Sequence, residues 1–162
     1  MQIQKIQKNK KKGFVILFAV VATSIILSVS LGIANIAFKE IRFYTSVKDS
    51  NNAFFNADTG VECALMNDKN DTITAFPVGG TTGTVRCLGN NITVSGSSPI
   101  WNFVVSQLGD GSSPKGCAKV TVNKTNPSTE IISKGYNEGG TTLGACTPLA
   151  NTLERQLRVT YN

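Results

Sequence analysis

The chain has 162 residues, of which 16 are basic and 10 acidic, giving a formal net charge of +6. Five lysines and no acidic residue lie in residues 1–13, so the basic charge belongs to a short leader and does not indicate a nucleic-acid groove. The chain contains no histidine, which excludes Ser-His-Asp and Cys-His nucleophilic sites. It also lacks Walker and dinucleotide-binding fingerprints, and no cofactor or enzymatic activity is predicted.

An uncharged segment from Phe14 to Phe38 follows the leader. As a helix it would be roughly 37 Å long at about 1.5 Å per residue, enough to cross a hydrocarbon core of about 30 Å with some tilt. Lys39 and Glu40 begin a flank of mixed charge on its other side. The positive-inside rule therefore predicts a single membrane pass with the N-terminus in the cytoplasm. Five polar side chains in the segment can hydrogen-bond to the helix backbone or to a neighbouring helix: Thr23, Ser24, Ser28, Ser30 and Asn35.

Two other kinds of N-terminal segment share part of this pattern. A cleaved secretory signal could end at Gly32-Ile33-Ala34, although the apolar core of such signals is usually about 7–15 residues and this one is longer. An uncleaved signal anchor would have the same length and flanking charges. The first residue of the mature protein distinguishes a cleaved secretory signal from an uncleaved anchor.

The helical pattern continues beyond the apolar segment. Apolar and small residues recur at intervals of three and four, with charged and amide residues largely between them. One continuous helix from Phe14 to about Met66 is predicted, ending within residues 67–71. Gly32 and Gly60 are predicted weak points, each costing about 1 kcal/mol relative to alanine. The stripe consists of Val47, Ser50, Phe54, Ala57, Val61 and Ala64.

Asp58 and Glu62 lie one turn apart and so share a face of the predicted helix. Two carboxylates can perform acid–base chemistry, but exposure to solvent, or pairing with Arg155 and Arg158, explains them more simply. Three oxygen-bearing residues near the helix end could bind calcium. A solvated helix end explains them equally well, and no metal site is predicted. These residues are Asp68, Asn70 and Asp71.

The rest of the chain is predicted to be β-rich. Trp101 and Phe103 lie on the opposite side of a strand from Asn102, a pattern typical of core residues. The last four strands suit an antiparallel meander, and the amphipathic half of the helix can cover its apolar face. The predicted fold class is α+β, with a long N-terminal helix packed on a small antiparallel sheet. The strands are 84–88 and 91–95 around Gly89-Asn90, then 100–106, 118–124, 129–136 and 153–161, with loops at 109–114 and 137–148.

Four cysteines, Cys63, Cys87, Cys117 and Cys146, lie beyond the apolar segment. They could together form a zinc site, but a domain outside the cytoplasm favours disulfides. Of the three pairings, Cys63–Cys87 with Cys117–Cys146 is preferred because both bonds are local. Each would close a loop of roughly 25–30 residues and contribute about 3 kcal/mol in the chain-entropy model.

Three segments together resemble type IV pilins and pseudopilins. The Gly13-Phe14 junction, where a basic leader ends in glycine before an all-apolar helix start, resembles a class III signal peptide. Residues 53–64 resemble the Ala-aromatic-x-Ala-Asp-x-Gly-x-Glu pattern of minor pilins of the PilX type, with Asp58, Gly60 and Glu62 at the polar and glycine positions. Residues 132–136 resemble the Ile-x-Ser-x-Gly strand end of that group.

The resemblance implies that a prepilin peptidase of the inner membrane cuts after Gly13, and that Phe14 becomes an N-methylated N-terminus. Loss of the leader lysines would free the helix to leave the bilayer and pack against the helices of other pilin subunits. The implied location is the inner membrane before assembly and a cell-surface filament afterwards. The implied organisation is a cytoplasmic leader at 1–13, a transmembrane half-helix at 14–38, an amphipathic half-helix at 39–66 and an extracytoplasmic β-rich part at 67–162.

Phe18 departs from the family pattern. Major pilins carry glutamate as the fifth residue after the cleavage glycine, where it pairs with the amine of an adjacent subunit, and phenylalanine cannot make that pair. The family's proline kink is also missing, with Gly32 the only nearby substitute. The expected function is a structural minor subunit of a type IV pilus or pseudopilus, at the tip or in initiation. The alternative is a membrane-anchored or secreted binding module outside any filament, although no residue pattern supports DNA or a surface ligand as its partner.

Overall fold

The computed structural model describes residues 12–69, 75–79, 83–109, 115–125 and 127–162. One long helix is followed by antiparallel strands, which confirms the α+β fold class. The chain divides into two compact units, residues 1–45 and residues 46–162, and α1 contributes to both. The elements are α1 (Lys12–Asp68), β1 (Thr84–Cys87), β2 (Asn90–Thr93), β3 (Ser95–Ser97), β4 (Ile100–Leu108), β5 (Gly116–Thr125), β6 (Ser128–Tyr136) and β7 (Glu154–Tyr161).

Helix α1 runs without interruption and ends at Asp68, inside the predicted stop. No proline precedes Pro77, so every residue of the helix has a backbone N–H for the hydrogen-bond ladder. The described part of the first unit, residues 12–45, is helical throughout. A methyl group added to Gly32 would meet nothing within 4 Å, so this glycine makes no close contact in the described fold.

A five-stranded sheet in the order β3-β4-β5-β6-β7 forms the body of the second unit. All neighbouring strands are antiparallel and follow chain order, which confirms the predicted meander. In its centre, Val120 on β5 lies opposite Phe103 on β4 and Ser133 on β6. A separate hairpin joins β1 and β2, and all strands predicted from the sequence are present in the described residues.

The structure differs from the sequence prediction in the region between β1 and β4. The turn of the first hairpin is Leu88-Gly89, one residue earlier than predicted, and β2 therefore begins at Asn90. The short strand β3 was not predicted, because its sequence Ser-Gly-Ser has no apolar alternation. Gly96 of this strand has a φ of 100° and lies against the backbone of Ile100, which requires glycine.

The core of the second unit lies between α1 and the sheet. Trp101 and Phe103 are buried, while Asn102 between them is exposed, as their alternation predicted. Phe76 is fully buried, with its ring centroid 6.1 Å from that of Trp101 and 6.0 Å from that of Phe103. The helix contributes mostly small or branched residues to this core: Val61, Cys63 and Ala64.

Both local disulfides preferred from the sequence are present. Cys63–Cys87 joins α1 to β1 with a Cα–Cα distance of 5.5 Å, and Cys117–Cys146 joins β5 to the loop before β7 with a distance of 5.6 Å. That loop has no strand in its described residues, as predicted for 137–148. Most of the predicted loop 109–114 lies outside the described residues.

Two buried asparagines also fasten α1 to the strands. Asn56 donates from Nδ2 to the carbonyl oxygen of Tyr136 at 2.8 Å. Asn67 donates from Nδ2 to the carbonyl oxygen of Arg86 at 2.9 Å and accepts from the N–H of Arg86 at 3.0 Å. Because buried polar groups need partners, these amides satisfy strand backbone groups that the sheets leave unpaired.

Candidate functional site

Residues 14–38 of the first unit present an apolar helix surface on all sides. The most apolar 18-residue window of α1 has a mean hydropathy of 2.7 and no buried residue, and the helix is long and apolar enough to cross a membrane. Phe14 and Phe18 are 76% and 67% exposed. Each large apolar side chain of this kind gains about 1.5–3 kcal/mol when it leaves water, so the segment favours lipid or other apolar helices over solvent.

The hydroxyl side chains in this segment bond to their own helix. Thr23 donates to the carbonyl oxygen of Ala19 at 2.9 Å, Ser24 to that of Val21 at 2.8 Å and Ser30 to that of Ile26 at 2.8 Å. Ser28 does the same with Ile25. The hydroxyls are thus satisfied without water, as the sequence predicted and as an apolar environment requires.

The predicted processing junction lies in the first turn of α1. The helix begins at Lys12, and Gly13 is therefore its second residue. The first turn contains no acidic residue to stabilise the helix N-terminus, and glycine costs about 1 kcal/mol relative to alanine. Residues 1–11 lie outside the described residues.

Strand β6 lies in close contact with α1 where two segments of the family resemblance meet. A methyl group on Gly135 would overlap backbone atoms of Ala53 and Ala57, and one on Gly60 would overlap the hydroxyl of Ser133. Gly60, which the sequence predicts as a weak point of the helix, is also needed for this contact. Residues 53–64 and 132–136 therefore pack on each other, and their small residues set the helix–sheet distance.

Asp58 and Glu62 lie on the exposed side of α1. Neither pairs with a basic residue in the described part of the chain. The suggested partners bind elsewhere, since Arg155 donates to the hydroxyl of Ser50 at 2.7 Å and Arg158 pairs with a Glu130 oxygen at 3.2 Å. Of the alternatives given by the sequence, exposure to solvent therefore describes both carboxylates, and the pairing with these two arginines is not formed.

Asp68 fastens the end of α1 to two strands. It forms an ion pair with Lys124 on β5, and the Tyr161 hydroxyl on β7 donates to its other oxygen at 2.5 Å. Burial, followed by the hydrogen bond to Asp68, raises the pKa of Tyr161. Asn70 and Asp71 lie outside the described residues, and the described ranges contain no cluster of three metal-ligating residues around Asp68. The carboxylate therefore has a structural role here.

A second polar cluster lies at the opposite end of β7. The Tyr136 hydroxyl donates to Glu154 at 2.7 Å, and Lys134 lies 3.2 Å from the other Glu154 oxygen. Burial and this hydrogen bond raise the pKa of Tyr136 to about 12. The hydrogen bond from Tyr136 lowers the pKa of Glu154, with Lys134 adding to the effect. The tyrosine thus stays protonated and the carboxylate ionised at neutral pH.

Two clefts meet at the β1–β2 turn. The larger, of about 510 Å³, lies between that hairpin, β4 and the Leu143-Gly144 turn; we call it the hairpin cleft. The smaller, of about 380 Å³, lies between residues 52–59 of α1 and the bulged end of β4; we call it the helix cleft. Leu88 lines both. These clefts could not be predicted from the sequence, because their walls come from four separate segments.

Leu88 has an unusual backbone conformation for its residue type. Its φ is 50° and that of Gly89 is 80°, which identifies a type I′ turn. Asn and Gly favour the first of these positions, whereas leucine there costs roughly 1–2 kcal/mol. The Leu88 side chain is 65% exposed and so recovers little of this cost by burial.

Comparison of the chain with protein-family models, curated proteins and solved structures found no match.

Proposed function

We propose that this protein is a structural minor subunit of a type IV pilus or related pseudopilus, assembling through the apolar half of α1. The observation that carries the proposal is the 14–38 segment, exposed on all sides, with its hydroxyls bonded to its own backbone. Such a helix suits a lipid bilayer first and a bundle of similar helices afterwards.

The close contact between α1 and β6 gives further support. The two segments that resemble minor pilins are distant in sequence, yet they pack on each other through Gly60 and Gly135. Because the helix and the strand lie so close, the facing positions must carry small residues. This requirement explains why alanine and glycine in residues 53–64 occur together with serine and glycine in residues 132–136. The packing of these two segments on each other supports the family resemblance independently of the membrane segment.

Cleavage of the leader allows the helix of the proposed subunit to leave the bilayer during assembly. Cleavage after Gly13 removes five lysines that hold the N-terminus in the cytoplasm, and withdrawal of the helix from the bilayer then carries only the charge of the new N-terminal amine. Phe18 offers no carboxylate to a neighbouring N-terminal amine. We therefore place the subunit at the tip of a filament or in its initiation, where no earlier subunit presents that amine.

Co-expression with a prepilin peptidase tests the proposal. The mass of the mature protein should correspond to a chain that begins at Phe14, and Gly13→Ala should leave the leader attached. Phe18→Ala, a matched change close to the junction, should be processed normally. An intact leader in the presence of an active peptidase would favour the membrane-anchored binding module, and a start after Ala34 would indicate an ordinary secretory signal.

A further inference from the structure

The clefts at Leu88 have an uncharged lining. The hairpin cleft and the helix cleft are lined by apolar side chains and by hydroxyl and amide groups, with no charged residue among their described lining residues. The chain nevertheless contains 26 charged residues. A ligand that carries charge would find no counter-charge on these walls, so the site selects an uncharged one.

The polar groups of the lining suit a ligand with many hydroxyls. Asn90 and Asn91 contribute amides to the hairpin cleft, and Asn52 and Gln107 contribute amides to the helix cleft. An amide side chain both donates and accepts hydrogen bonds, as a hydroxyl group does. Both volumes fall in the range of small-ligand sites, which extends from about 300 to 1,000 Å³.

Three large apolar side chains project from the walls of the two clefts. Phe55, Leu88 and Leu143 are 62%, 65% and 66% exposed, and each lines at least one cleft. Leu88 adopts a backbone conformation that asparagine or glycine would adopt more easily. Because the fold gains little from a leucine here, contact with a molecule outside the chain explains why this residue occupies the turn.

We propose that the two clefts form one binding site for an uncharged oligosaccharide, with Leu88 between two successive sugar subsites. A sugar ring has an apolar face of C–H groups and an edge of hydroxyls, which match the projecting apolar side chains and the amides respectively. The site lies wholly within the second unit and does not depend on the proposed role in a filament. A protein partner with an apolar surface is the competing occupant that the experiment must separate from a sugar.

Leu88→Asn tests the assignment, because it removes the apolar side chain and improves the turn. The full chain in detergent is applied to an array of neutral and sialylated glycans, and affinity for each bound glycan is then measured by calorimetry. The matched control is Leu149→Asn, since Leu149 is 71% exposed and lines neither cleft. We expect neutral glycans to bind the wild type and the control equally, and Leu88→Asn to lose at least tenfold in affinity.

Thermal unfolding of the same variants separates a binding role from a structural one. Leu88→Asn should unfold at the same temperature as the wild type or at a higher one. A lower unfolding temperature would show that Leu88 is retained for the fold and would overturn the proposal. Absence of any bound neutral glycan, selective binding of sialylated glycans or equal affinity of Leu88→Asn would overturn it as well.

Discussion

The two units of this chain use helix α1 in opposite ways. Between Phe14 and Phe38, in the first unit, the helix is apolar on all sides and its described residues are exposed, whereas in the second unit its buried face is built mostly of small residues against a sheet. The first part therefore derives its stability from whatever surrounds it, and the second from packing within the chain. A substitution should accordingly have different consequences on the two sides of the boundary near Thr45.

The largest expected effect on stability comes from replacing a tightly packed glycine of the second unit, with an exposed glycine of the first unit as the comparison. Gly135→Ala would place a methyl group on the backbone of Ala53 and Ala57, which cannot move aside, and should lower the free energy of unfolding by about 3 kcal/mol. Gly32→Ala is the matched control in the first unit and should be neutral, or should stabilise the helix by up to about 1 kcal/mol.

Trp101 fluorescence during urea unfolding measures this difference, because the only tryptophan of the chain is fully buried in the core of the second unit. If Gly135→Ala and Gly32→Ala shift the unfolding midpoint equally, the contrast between the two units is wrong.

A smaller effect is expected from Asp68→Asn. The change leaves the Lys124 ammonium, whose side chain is 15% exposed, without a counter-charge and should cost about 2 kcal/mol in the free energy of unfolding. Asp58→Asn removes an exposed carboxylate on the same helix and should change stability by less than about 0.5 kcal/mol. Equal urea midpoints for the two variants would contradict a structural role for Asp68.

The smallest effect concerns alkaline pH. In the fold the pKa of Tyr136 is raised from 10.0 to about 12, and that of Tyr161 is also raised. The unfolded tyrosines therefore ionise first, so the contribution of these two tyrosines to stability should be constant below about pH 10 and should be lost as the pH rises toward 12. Tyr136→Phe should weaken this fall. Residues 14–38 contain no ionisable side chain, so the helical circular dichroism signal from that segment should not change as the second unit unfolds at alkaline pH.

Periodicity and local spacing were sufficient to predict most of the fold. Alternation identified the strand containing Trp101 and Phe103, and proximity in sequence identified both disulfides. The strand Ser95–Ser97 was missed because its pairing with β4 comes from tertiary context and not from side-chain pattern. The contact between Gly60 and β6 was not predicted, because helix propensity says nothing about a strand that packs on the helix.

The candidate sites also differ in how far the sequence alone predicts them. The junction at Gly13 and the apolar segment can be read from the sequence because they are contiguous. The cluster of Asp68, Lys124 and Tyr161, and the clefts around Leu88, combine residues far apart in the chain. Only the register of the sheet brings such residues together, and no spacing rule in one sequence contains that register.

Photo-crosslinking within the apolar helix tests most directly whether the first unit acquires partners of its own kind. A photoreactive amino acid replaces Ile26, which is 66% exposed, in a host that assembles filaments. From the proposed assembly we predict adducts to the N-terminal helices of filament subunits, and loss of those adducts when Gly13→Ala blocks processing. Crosslinks to lipid alone in the processed protein, with filaments present, would contradict the account.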